Sequence, residues 1–490
     1  MTTQFIAQHS KLVTTIARRP YCLLPVGDAR RRSAGIGVGR IMNAMWRGFF
    51  WGLSWLSLAC TATLPSYAAE HDASKDTWVV VHAGTLLAVP GEQPVREKTI
   101  VIKNGVIESV LDGYLSTAQA GAADADLVSL RDRFVLPGLM EMHIHLTTIV
   151  CKGIFNNPKC RNDRYIGKYD DADRAVTAMS NSLITLMAGF TTVRDMGAQG
   201  PAIFSVRDAI NQGRIPGPRI FASGRAISVT AGQFDPLLDT QSDRTFCDGP
   251  DACRKVVREQ IRVGADFIKL AATGGGSDHN GGPDDPPEML DDEIQAAVDA
   301  AHSLKRLVSI HAHGTAGINA ALRSGADSVE HGTFPDKESI RLYKKTGAIM
   351  VPTLAYITSW DEEYLASLSL EQKVRKSQFL DLQPKGVAMA YKAGVVIAAG
   401  TDFGGRVPHG SNALELVAYV ELAGMTEMDA IVTATVNGAK LLRKEDVLGT
   451  LEPGKYADLI ATNTSPLEDI RVLTEIPFVM KGGVVYKSEP

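Results

Sequence analysis

Val135 to Leu146 read VLPGLMEMHIHL. A short apolar run passes through Pro137-Gly138 and ends on His143 and His145. In an extended strand, side chains at i and i+2 face the same side. Both imidazoles can therefore reach one cation from a rigid backbone, although a His-x-His by itself is equally an ordinary strand end. Similar short β-rich runs recur at 139–145, 190–195, 219–224, 266–272, 307–313, 327–331, 348–354 and 395–402. Helical patterns separate most of them. In Asp291–Arg306, DDEIQAAVDAAHSLKR, residues Ile294, Ala297, Val298, Ala301 and Leu304 share one face behind an acidic first turn. Gly264, Gly325, Gly347 and Gly394 stand where a helix should stop before the next strand. Eight strand–helix alternations predict an α/β fold, a (β/α)8 TIM barrel.

Outward from that core, both chain ends have a different texture. TWVVVHAGTLLAV and KTIVIKNGVIESV, between Asp76 and Val110, read as short strands with a hairpin turn at Lys103-Asn104-Gly105. KYADLIAT (455–462) and FVMKGGVVYK (478–487) repeat the pattern at the far end. The two pieces are expected to pair into one small β-sandwich. The expected division is a leader over 1–68, the N-terminal half of the sandwich over 69–136, the barrel over 137–445 and the C-terminal half of the sandwich over 446–490.

The formal charge of −4 over 490 residues gives no electrostatic case for nucleic-acid binding. From Met42 the chain shows Arg47, an apolar run from Phe49 to Ala59, and small residues at Ser66 and Ala68. This is a secretory signal pattern with cleavage expected after Ala68. The run is short for a membrane span, which needs ~20 residues, so no stable insertion is expected after cleavage. Residues 1–41 read as an upstream extension. The mature chain is expected to be exported, periplasmic or secreted. It keeps Cys151, Cys160, Cys247 and Cys253. Of the three possible pairings, the local ones Cys151–Cys160 and Cys247–Cys253 suit an oxidising compartment; four free thiols are the alternative.

In a barrel of this kind, chemistry sits at the C-terminal ends of the strands. The runs close on His143 and His145, on His311 and His313, on His331 and on Asp402, and Lys269 lies within FIKLAATGG. Each residue has an ordinary structural reading alone: a hydrogen-bonded histidine, a lysine snorkelling to solvent, an aspartate capping a turn. Together they form a set with metal chemistry. Neutral imidazoles and a carboxylate suit Zn²⁺ or a similar divalent ion. A protonated amine repels a cation, so Lys269 fits between two cations only as its carbamate, which is anionic and bidentate. Burial among Phe267, Ile268 and Leu270 would lower its pKa and favour that reaction with CO₂.

PGLMEMHIHL, TTVRDMG, FIKLAATGG, SIHAHG, SVEHGT and AAGTDFG together resemble the amidohydrolase superfamily, in its binuclear branch with a carboxylated lysine. Most similar in look are prolidase-like dipeptidases cleaving Xaa-Pro or Xaa-Arg, and ochratoxin-hydrolysing amidases. The resemblance spans roughly Trp78 to the C-terminus. It implies that His143, His145 and Asp402 bind one metal, His311 and His331 the other, and carboxylated Lys269 both. A metal-bridging hydroxide would attack the amide carbonyl, with Asp402 moving the proton to the leaving nitrogen. His313, Arg225, His279 and Tyr356 are candidate substrate contacts, His279 within the Gly-rich GGGSDHNGG segment. The implied substrate is a small-molecule amide: a dipeptide, an N-acyl amino acid or an ochratoxin-type amide. A homo-oligomer is expected. The alternative enzyme is a cyclic-amide hydrolase or deaminase of the imidazolonepropionase type; such enzymes commonly lack the lysine, so Lys269 argues against it. A barrel without metals, serving only in assembly, is the non-catalytic reading.

Overall fold

β1 (Trp78–Leu86), β2 (Val95–Lys103), β3 (Val106–Asp112) and β4 (Asp126–Pro137) open a computed structural model that describes residues 76–148, 170–198, 200–233, 245–275, 281–360, 362–404 and 407–490. The chain then runs through β5 (Leu139–Ile144), β6 (Phe190–Asp195), β7 (Arg219–Ala222), β8 (Ile227–Ser228), β9 (Thr245–Phe246), β10 (Phe267–Ala271), β11 (Leu307–Ala312), β12 (Ser328–His331) and β13 (Ile349–Val351). β14 (Leu459–Thr462), β15 (Phe478–Lys481) and β16 (Val484–Ser488) close it. The leader, Cys151, Cys160 and His279 lie outside the described residues.

The two chain ends do meet. They form one seven-stranded sheet in the order β16-β15-β14-β4-β1-β2-β3. The expected hairpin turn is there, with Asn104 and Gly105 at φ 51° and 79°, a conformation that Asn-Gly adopts readily. The sheet rolls back on itself. Val106 bridges Tyr456, and the Ala457 N–H donates to the Gly105 carbonyl at 2.9 Å. Its inner faces enclose an apolar core that includes Val81, Ile100, Ile107, Leu459 and Phe478.

The middle alternates strand and helix as predicted. β5-β6-β7 and β8-β10-β11-β12-β13 pair in parallel. Between these two sheets, the Asp266 N–H donates to Ala222 O at 2.9 Å. The eighth run, 395–402, closes the ring. Its Ala398 N–H donates to Met350 O, and the Met142 N–H of β5 donates to its Ala399 O, at 2.9 and 2.8 Å. Gly400 permits this closure, because a Cβ there would stand 2.8 Å from the His143 backbone nitrogen. Strand alternation turns Met140 and Met142 onto an apolar cluster with Ala439 and Leu441, leaving Glu141 and His143 to the other face.

Cys247 and Cys253 are bonded, as expected, between β9 and the helix Pro250–Val263. Among the described residues, no helix is long and apolar enough to cross a membrane.

Candidate active site

The C-terminal strand ends converge on one cavity of about 220 Å³. Its floor holds His143, His145, Lys269, His311, His313, His331 and Asp402. Two groups of potential ligand atoms lie within 4.8 Å of one another: those of His143, His331 and Asp402, and those of His311, His313 and His331. The residues that close separate runs in the sequence are therefore neighbours in space.

Hydrogen bonds set which nitrogen each ring offers. His143 Nδ1–H donates to the Glu330 carboxylate at 2.7 Å, leaving Nε2 3.4 Å from Asp402 Oδ1. His145 Nδ1–H donates to Gly197 O at 3.1 Å, leaving Nε2 3.1 Å from the same oxygen. Two imidazole lone pairs and one carboxylate oxygen thus point at each other. Three such acceptors need a cation or protons between them. His331 Nδ1 bonds Thr353 Oγ1 at 2.8 Å, and His313 Nδ1 bonds Thr333 Oγ1 at 2.7 Å. His311 Nε2 lies 3.3 Å from Gly274 O. Fixing the other ring nitrogen in this way is how proteins orient metal-binding histidines.

Electrostatics keep His311, His313, His331 and Asp402 in ligand form, whereas Asp402 and Asp195 outweigh burial and raise His145. Burial, with Lys269 nearby, pushes His311 down to about 3, and burial and the neighbouring rings hold His313 and His331 well below the usual imidazole range. Burial alone would raise the Asp402 carboxyl; His143 and His145 outweigh it and hold Asp402 well below the usual carboxylate range. Lys269 is 2% exposed, its Nζ has no hydrogen-bond partner, and burial pushes it down to about 8. An orphaned buried amine is costly. The donor set fits divalent metal ions.

Below the floor lies a polar layer that sequence reasoning did not single out. Glu330 is 0% exposed and accepts from Arg194 Nη2 at 2.6 Å, Ser309 Oγ at 2.6 Å and Ser328 Oγ at 2.6 Å as well as from His143. Glu141 accepts from the backbone N–H groups of His143 and Thr401, from Thr401 Oγ1 and from Asn412 Nδ2, at 2.8–3.0 Å. One carboxylate thus fixes the ring of His143, and the other ties its backbone to the strand that presents Asp402. His331, Thr353 and Asp402 all hold left-handed backbone, at φ 67°, 53° and 59°. Non-glycine residues pay for that conformation, and it clusters where side chains are aimed for function.

Of the candidate substrate contacts, His313 and Tyr356 line the cavity. Arg225 does not appear among the described lining residues; it is half-buried, and its backbone N–H donates to Gln260 Oε1 at 3.2 Å. His279 lies outside the described residues. The far wall comes from Tyr356, Ile357 and Trp360, which follow β13, and from Lys376, Phe379 and Gln383 on the helix Leu370–Lys392.

A sequence profile described as the Amidohydrolase family matches residues 134–487. Ochratoxinase of Aspergillus niger is 32% identical over 463 residues, covering 86% of this chain and 89% of that protein. Its crystal structure is similar with a TM-score of 0.72 at 30% identity, covering 84% of this chain and 96% of that one. The crystal structure of a Xaa-Pro dipeptidase with methionine bound in its active site reaches a TM-score of 0.75 at 35% identity, over 84% of this chain and 100% of that one.

Proposed function

The chain belongs to the amidohydrolase family, and from that membership we propose that it hydrolyses the amide bond of dipeptides or N-acyl amino acids, ochratoxin-type amides included. The single observation that carries this reading is the convergence of His143, His145, Lys269, His311, His331 and Asp402 on one cavity floor.

His143, His145 and Asp402 would hold one divalent cation, His311 and His331 a second, and Lys269, as its carbamate, both. When bound, such ions supply Lewis acidity, polarising a carbonyl and acidifying water. The protein's own groups do the rest. Glu330 and the Gly197 carbonyl keep both strand-end histidines in the tautomer whose Nε2 faces the cavity. Low-lying His311 and His331 stay neutral at physiological pH and offer lone pairs. Asp402 is ionised there and can take a proton at Oδ1, then return it to the amide nitrogen. An amine leaves readily only once that nitrogen is protonated. The place of Lys269 beside the histidines favours this reading over a cyclic-amide hydrolase or deaminase working without the lysine. The buried Cys247–Cys253 bond and the leader pattern together support export to an oxidising compartment.

The test is a panel of dipeptides and N-acyl amino acids varied at both ends, with cyclic amides alongside, assayed on zinc-loaded enzyme. Turnover of linear amides only is expected. Turnover of cyclic amides or deamination alone would refute the proposal.

A further inference from the structure

The far wall of the cavity starts just past β13. Thr353 stands in left-handed backbone at φ 53°, and the short helical turn Leu354–Ser359 follows it. That turn and the next residue bring Tyr356, Ile357 and Trp360 to the cavity. The first N–H groups of such a turn have no acceptor within it. One side chain from another element meets two of them. Glu415, on the helix Leu414–Ala423, accepts from the Leu354 N–H at 2.7 Å and from the Ala355 N–H at 2.6 Å, and is 1% exposed. From the helix Leu370–Lys392, Gln383 Nε2 donates to Pro352 O at 2.8 Å, and Gln383 is 3% exposed. Two buried side chains on two helices thus grip residues 352–355.

Left-handed backbone at a β-branched residue is strained and lasts only where its surroundings enforce it. Glu415 fixes the two peptide groups that directly follow Thr353, and so sets the direction in which the wall leaves the strand. That wall is aromatic. A line of rings runs outward from the floor: Phe379 lies 5.0 Å from His313, Trp360 6.1 Å from Phe379 and Tyr356 6.3 Å from Trp360, centroid to centroid. Such faces suit an aromatic group on the substrate. Tyr356 and Trp360 both belong to the stretch whose start Glu415 holds.

We propose that Glu415 is a positioning residue for substrate selection: by holding the Leu354 and Ala355 N–H groups it places Tyr356 and Trp360 to receive an aromatic group of the substrate. This rests on the amide-hydrolase reading above and adds which residue sets a preference for aromatic substrates. Glu415 is not among the described lining residues and acts only through the wall. Thr353 also bonds His331 through Oγ1 at 2.8 Å. A change relayed along that branch alters the floor and touches every substrate alike, so the ratio between an aromatic and a small substrate isolates the wall.

The experiment compares N-acetyl-phenylalanine and N-benzoyl-alanine, aromatic on either side of the amide, with N-acetyl-alanine. It uses zinc-loaded full-length enzyme in the wild type, Glu415→Gln and Glu415→Leu. The wild type is expected to prefer at least one aromatic substrate over N-acetyl-alanine by about tenfold or more in kcat/KM, the scale of burying one aromatic side chain. Ring–ring contact is worth about two- to tenfold beyond that burial. Glu415→Leu offers neither N–H an acceptor and should lose at least about threefold of the preference, mainly through KM for the aromatic substrate. Glu415→Gln keeps one acceptor oxygen and should fall between; it carries the test alone where Glu415→Leu does not fold. Equal losses on all three substrates, or a full preference kept in the variants, would overturn the inference. A wild type that cleaves all three equally would overturn it too and leave the amide-hydrolase reading standing. A wild type that cleaves none of them removes that reading, and the inference with it.

Discussion

Glu330→Gln keeps the shape of a buried side chain and removes its charge. The carboxylate is 0% exposed and receives Arg194, His143, Ser309 and Ser328, all at 2.6–2.7 Å. The two serine hydroxyls can rotate away. Arg194 cannot: it is 2% exposed, and its other bonds, to Met142 O at 2.7 Å and Ser328 Oγ at 3.1 Å, bring no negative charge. An amide also presents an NH₂ group to one of two donors that need an acceptor. Breaking a buried ion pair from one side costs about 3–5 kcal/mol, because the other charge stays buried. His143 loses its ionic acceptor as well, and removing such a partner typically weakens metal binding about 10–100-fold. Urea unfolding of the zinc-stripped protein reads the first effect, and chelator competition for zinc reads the second. A drop of about 3–5 kcal/mol with at least about tenfold weaker zinc binding is expected. Adding Arg194→Met should recover some of the stability, because it removes the stranded charge. A Glu330→Gln protein within about 0.5 kcal/mol of wild type and with unchanged zinc affinity would refute the reasoning, since ordinary surface changes alone cover that range.

Three further outcomes follow from named groups. Asp402→Asn should fold normally and lose at least about a hundredfold in kcat, the usual scale for a lost proton-transfer group; a near-normal rate would rule out its role. Lys269→Met should bind fewer zinc ions and lose turnover, and a short carboxylic acid should restore some of the corresponding Lys269→Ala activity; undiminished zinc content would sink the carbamate bridge. Glu415 accepts from the Leu354 and Ala355 N–H groups at 2.7 and 2.6 Å, and burial pushes its carboxyl from 4.5 up to about 8. The folded state therefore keeps a proton that the unfolded chain releases above 4.5. Its contribution to stability is full below 4.5 and is lost as pH rises toward 8, by at most about 1.4 kcal/mol per pH unit. Glu415→Gln should flatten that stretch of the pH–stability curve of the zinc-stripped protein, and identical curves would show that Glu415 does not titrate there.

The barrel was legible because each inward strand is a short apolar run bounded by turn residues, and because Gly264 and Gly347 end helices in left-handed backbone at φ 116° and 75°. The floor was legible because a strand end is a fixed address: His143, Lys269, His311, His331 and Asp402 each close or occupy one. The supporting layer was not. Glu141 shares the His143 face two residues earlier, and Glu330 directly precedes His331, so a signal existed. What each carboxylate does depends on partners 187–271 residues away, Glu330 to His143 and Glu141 to Asn412, and no local pattern reports such pairings. β4 hid behind Arg131-Asp132-Arg133, whose charges break the alternation of a strand that the rolled sheet nonetheless places between β1 and β14. Lys376 and Phe379 hid in a long helix that contains Pro384, a residue that ordinarily ends one.

The most direct test is the number of metal ions bound per chain in fully active enzyme, measured by elemental analysis of purified protein. Two divalent ions per chain are expected, falling together with activity on chelation and returning together on zinc addition. A preparation with full amidase activity and no bound metal would contradict the assignment of all six proposed metal-holding residues at once.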